Sequence, residues 1–118
     1  VSGAFHSPYM AEATCGLVAY IEAGHAPSPL LIPVVANMTA APYPADSQAA
    51  SDVLAQQVSH AVRWVDTLHA LKDQGLDTFI EVGPGKTLAG LVKRTLNDVC
   101  VYSCETAEQV AAIAEELA

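Results

Sequence analysis

Apolar residues recur along the chain with two periods, one helical and one extended, and their alternation predicts an α/β layering rather than an all-helical bundle. Ser7 followed by Pro8 predicts a helix start, which Met10, Leu17, Val18 and Ile21 continue at helical spacing toward a stop at Gly24. Residues 30–38, rich in Val and Ile, predict a strand whose regular pairing begins after Pro33, and residues 39–45, with Pro42 and Pro44, a loop. Residues 47–74 carry two helices with a break around Ser59 and His60, the second striped by Trp64, Val65, Leu68 and Leu71. Residues 77–82 predict a short strand that runs directly into Gly83-Pro84-Gly85. A helix over 86–96 follows, with Leu88, Leu91, Val92 and Thr95 inward, then a strand over 99–103. Residues 107–117 form a closing helix, capped by Thr106 and burying Val110, Ile113 and Leu117.

Composition narrows the classes. A chain of 118 residues, 52% hydrophobic and with a mean hydropathy of +0.30, fits one domain with a buried core. Five Lys and Arg against thirteen Asp and Glu leave a net charge of −8, which removes nucleic acid as a partner because a phosphate backbone needs clustered cations. No apolar run approaches the roughly 20 residues of a membrane-spanning helix. Cys15, Cys100 and Cys104 form no disulfide framework and no leader-like segment opens the sequence, so a cytoplasmic setting is expected, with Cys100 and Cys104 as buried thiols. The start at Val1, entering directly into Gly-Ala-Phe-His-Ser, fits a fragment.

Strand, Gly83-Pro84-Gly85-Lys86-Thr87, helix resembles a phosphate loop in outline, but Ile80 stands where the first glycine would be. The plainer reading is a sharp strand-to-helix turn whose free amides favour an anion. Among His6, His25, His60 and His69 no metal-binding spacing occurs, so no metal is expected. His69 reads as a core-facing residue and His25 as a loop residue. His6 stands at the edge of a helix N-terminus after Ser2, Gly3 and Ala4, a place that suits a general base as well as an ordinary capping or core histidine. No nucleophile elbow of the Gly-x-Ser-x-Gly kind is present.

Four ordered strings then become specific: Gly3-Ala4-Phe5-His6-Ser7-Pro8; Ala36-Asn37-Met38-Thr39-Ala40; Gln57-Val58-Ser59 with Val62-Arg63-Trp64; and Glu81-Val82-Gly83-Pro84-Gly85-Lys86. They resemble malonyl-CoA:acyl carrier protein transacylases, and with Gly90-Leu91-Val92-Lys93-Arg94 the likeness covers nearly the whole chain. The resemblance implies the C-terminal portion of an α/β-hydrolase-like large subdomain, parallel strands flanked by helices, with residues 1–118 a partial acyltransferase domain. The serine elbow, the malonyl-binding arginine, the oxyanion-hole glutamine and the ferredoxin-like subdomain would lie upstream. It further implies that His6 alternates as general base and acid, held by the main-chain carbonyl at Gln57, and that Phe5 favours malonyl over methylmalonyl. Lys93 and Arg94, helped by Lys86 or Arg63, would dock an acidic carrier.

The implied function is malonyl transfer from malonyl-CoA to the phosphopantetheine thiol of acyl carrier protein in fatty acid synthesis, with no further cofactor and with the missing N-terminal part as a partner. The alternatives are a polyketide synthase acyltransferase segment, or an inactive piece that only binds carrier protein. The isolated chain, with strands lacking their neighbours, is expected to fold poorly or to associate.

Overall fold

Proline at the first helical position gives up an amide that the helix would leave unpaired, and the chain turns at Pro8. The computed structural model, which describes residues 3–118, starts there with a 3₁₀ turn (Pro8–Met10) and continues as α1 (Ala11–Tyr20). Ser7 does not cap this helix through its side chain; its hydroxyl donates to Ala4 O at 2.6 Å and closes the preceding turn instead. α1 widens over Ile21–His25 and ends where Gly24 takes φ 104°. These elements belong to the first of two compact units, which divide between Thr67 and Leu68.

The strand expected over 30–38 shortens to β1 (Val35–Ala36), and the segment read as a loop supplies its partner, β2 (Ala41–Pro42). The two pair antiparallel, Val35 with Pro42 and Ala36 with Ala41. Proline is tolerated because so short a strand asks few amides to donate. α2 (Ser47–Gln56) begins at Asp46, whose carboxylate accepts from Ala49 N at 2.8 Å and satisfies an amide the helix leaves free. α2 buries Ala50, Ser51 and Ala55 and passes into a 3₁₀ turn (Gln57–Ser59), where the expected break falls.

α3 (Trp64–Asp73) runs across the division. Leu68 is fully buried on it, whereas Val65 is half exposed and His69 exposed, so His69 is not a core residue. The second unit continues with β3 (Thr78–Val82), α4 (Thr87–Thr95), β4 (Cys100–Cys104) and α5 (Ala107–Glu116). β3 and β4 pair in parallel from Thr78 opposite Cys100 to Val82 opposite Cys104, with α4 against both strands and α5 against β4.

α4 buries Ala89 and Val92, followed by Leu96, while Leu88 is exposed; the inward face is rotated by one residue from the expected one. Thr106 caps α5 in a reciprocal box with Gln109, yet Val110 and Leu117 remain about half exposed, since β4 is too narrow to cover the helix's apolar face. Cys104 is buried at the end of β4 and Cys100, at its exposed start, is not, so the two thiols are not a buried pair. No helix among the described residues is long and apolar enough to cross a membrane.

Candidate active site

His6 adopts φ 61°, in the left-handed region, where a non-glycine residue costs about 1–3 kcal/mol unless its surroundings fix it. Its surroundings here are three carbonyls from residues 57–60, the stretch that follows α2. His6 N donates to Val58 O at 2.8 Å. His6 Nδ1 lies 2.9 Å from Gln57 O and 3.2 Å from His60 O. Carbonyl oxygens only accept, so the ring carries its proton on Nδ1, and in the neutral state Nε2 keeps a free lone pair. A ring held in this tautomer by an uncharged acceptor can take a proton at Nε2 without a buried carboxylate behind it.

Side-chain contacts tie down the stretch that carries these carbonyls. Thr14 Oγ1, on α1, donates to Ser59 Oγ at 3.0 Å. The ring of His60 turns back to Gln56 O, with Nδ1 at 2.8 Å. Gln57 uses its side chain as well as its backbone: Oε1 accepts from Asn37 N at 2.8 Å, and Nε2 donates to the Tyr43 hydroxyl. Asn37 O accepts from Arg63 N at 2.8 Å, tying the start of α3 to the same hairpin. Burial raises the Tyr43 phenol above its ordinary pKa, against the opposing effect of the Gln57 hydrogen bond, so the hydroxyl stays protonated.

His6 and Gln57 are thus brought together across fifty-one positions of sequence. Phe5, half exposed, lies over Gly3; a Cβ there would come within 2.9 Å of its ring. An apolar cavity of about 180 Å³ in this unit is lined by Pro27, Leu30, Val34, Tyr43, Ala50 and Leu54, and His6 is not on its wall. Lys93 and Arg94 are exposed in the last turn of α4, in the second unit, where the helix C-terminus favours cations. Arg63 is paired with Asp66 at 2.8 Å, and Lys72 Nζ donates to Asp98 O at 2.7 Å.

The turn at Gly83-Pro84-Gly85 has the strand-to-helix geometry that was expected, with φ 132° and 95° at the two glycines, values L side chains rarely adopt. Several amides of the turn and of the helix start already have partners. Glu81, on β3, accepts from Leu88 N at 3.1 Å and Ala89 N at 2.8 Å through its two carboxylate oxygens. Glu105 Oε1 accepts from Gly85 N at 3.0 Å, and Cys104 O from Gly83 N at 2.9 Å. The anion at this helix N-terminus is the protein's own, which a phosphate would have to displace. In sequence Glu81 is a motif residue two positions before the glycine turn, and nothing there announces this capping role. Asn37 stood in one of the four motifs without a role and Tyr43 stood in none, since only the hairpin brings them to Gln57.

No protein-family model matches the chain. Over 98 residues, however, it is 45% identical to the polyketide biosynthesis malonyl CoA-acyl carrier protein transacylase BaeC of Bacillus velezensis, a match covering 83% of this chain and 33% of that protein. Over most of its length the chain is similar to malonyl-CoA:acyl carrier protein transacylases. Another family member, the malonyl CoA-acyl carrier protein transacylase of Synechocystis sp., is 37% identical over 99 residues, 84% of this chain and 33% of that one. The family fold is shared as well. The crystal structure of the acyl-carrier-protein-S-malonyltransferase from Bartonella henselae superposes with a TM-score of 0.89 at 31% identity, over 99% of this chain and 37% of the other. The chain spans about a third of the length of these curated relatives.

Proposed function

We propose that this chain supplies the acid–base histidine of a malonyl-CoA:acyl carrier protein transacylase, as one part of an acyltransferase domain whose serine nucleophile comes from outside the described residues. The observation that carries this reading is His6 Nδ1 at 2.9 Å from Gln57 O, which leaves Nε2 as the proton acceptor. In the first half-reaction His6 Nε2 takes the serine proton as the serine oxygen bonds to the thioester carbonyl. Collapse of the tetrahedral adduct breaks the carbon–sulfur bond, and the imidazolium returns the proton to the coenzyme A thiolate. In the second half-reaction the phosphopantetheine thiol gives its proton to Nε2 and attacks the malonyl ester, and the serine oxygen leaves with that proton.

Phe5, beside His6, is proposed to narrow the space at the substrate α-carbon and so to favour malonyl over methylmalonyl, and exposed Lys93 and Arg94 to meet the acidic carrier. Fatty acid and polyketide synthesis share this transfer. The 45% identity to the polyketide protein, against 37% to the Synechocystis enzyme, favours the polyketide setting. The test is kcat/KM of the full-length gene product with fatty acid and polyketide carrier proteins. A preference for the polyketide carrier supports that setting, and no malonylation of either carrier refutes the transfer reading.

A further inference from the structure

The hairpin holds Gln57 at both ends of its side chain. Asn37, the residue after β1, donates its amide to Oε1 at 2.8 Å; Tyr43, the residue after β2, accepts from Nε2. Tyr43 is anchored in turn, since its own amide donates to Val34 O at 2.9 Å and extends the hairpin ladder, while its ring lines the apolar cavity. A glutamine side chain free at its far end leaves its peptide able to tilt, whereas one bonded at both the oxygen and the nitrogen fixes its Cα and the direction of its carbonyl. That carbonyl is the one 2.9 Å from His6 Nδ1. We infer that Tyr43 is a positioning residue for His6, acting through the Gln57 side chain, an inference that rests on the general-base reading of His6. The hairpin is then a brace for the imidazole, and Tyr43, which makes no hydrogen bond to His6, tunes the reaction through the tautomer.

Tyr43→Phe keeps the ring in the cavity and removes only the hydroxyl, so Gln57 Nε2 loses its acceptor; Gln57→Ala removes the clamp but keeps the main-chain carbonyl. In the full-length protein, ¹⁵N spectra of the His6 ring report the Nδ1–H fraction, and steady-state transfer to carrier protein reports turnover. Each substitution is expected to lower the Nδ1–H fraction and to reduce kcat about 3- to 10-fold with KM for malonyl-CoA unchanged, and the double variant to fall no further than either alone. An unchanged ring spectrum in Tyr43→Phe, or two effects that multiply in the double variant, would overturn the inference. A wild-type protein that transfers no malonyl would refute the general-base reading, while the ring spectrum still decides whether Tyr43 holds His6.

Discussion

Two places in this chain look chemical in sequence, the His6 cradle and the glycine turn at residues 83–85, and they differ in what they leave unsatisfied. At the turn every amide named above has a partner inside the protein: Glu81 covers Leu88 N and Ala89 N, Glu105 covers Gly85 N, and Cys104 O covers Gly83 N. At the cradle the protein saturates the histidine's backbone amide and Nδ1 with carbonyls, and neither of those contacts uses Nε2. A polar group that the fold has already satisfied does structural work, and one that it orients and leaves open can do chemistry. Glycine, lysine and threonine after a strand therefore imply less than a histidine whose Nδ1 is held and whose Nε2 is left open.

The sharpest break in this comparison is His6→Ala, which removes the open nitrogen. In the full-length enzyme kcat for malonyl transfer should fall about 10²- to 10⁴-fold; a loss under about tenfold would mean that His6 belongs with the satisfied groups. Beside it, Phe5→Ser should raise the methylmalonyl-to-malonyl ratio of kcat/KM about 10- to 200-fold if Phe5 sets the space at the α-carbon, and competition between the two thioesters measures this.

On the other side of the comparison, Glu81→Ala strips the carboxylate from the start of α4. It should destabilise the fold by about 1–3 kcal/mol in urea titration, and phosphate should then raise the melting temperature of the variant but not of the wild type. Equal phosphate responses would show that the turn was never filled by Glu81. Reversing both exposed cations at the far end of the same helix, Lys93→Glu with Arg94→Glu, should raise KM for carrier protein about 3- to 10-fold and leave KM for malonyl-CoA unchanged.

The smallest effect is a pH effect. Tyr102 donates to Glu116 Oε1 at 2.7 Å, and that hydrogen bond, with the carboxylate's charge behind it, raises the phenol above its ordinary pKa of about 10. A phenol raised on folding contributes fully below its unfolded pKa and loses that contribution as pH climbs through the folded value. The stability difference between wild type and Tyr102→Phe should hold steady up to about pH 10 and shrink above it; a difference that grows there would contradict the assignment.

Much of this was legible because it is local. Thr106, Gly24, the strand running into Gly83, and the break near Ser59 are signals within a few residues, and each produced its element. The hairpin was not legible: Pro42 argued for a loop, and only pairing with Val35 makes that segment a strand. The face of α4 slipped by one residue because Leu88, apolar but exposed, outweighed small Ala89 in the pattern. In the site, His6 and Gln57 came from family motifs, while the φ 61° of His6, the carbonyl of His60 and the clamp by Asn37 and Tyr43 depend on contacts fourteen or more residues apart or on backbone angles that no residue type announces.

The most direct test of the central claim is the intact mass of enzyme and carrier after incubating the full-length gene product, wild type and His6→Ala, with malonyl-CoA and holo acyl carrier protein. The account predicts that the wild type passes one malonyl group to the carrier by way of a malonyl-enzyme, and that both species fade together in His6→Ala. A His6→Ala enzyme that malonylates the carrier at the wild-type rate would contradict it.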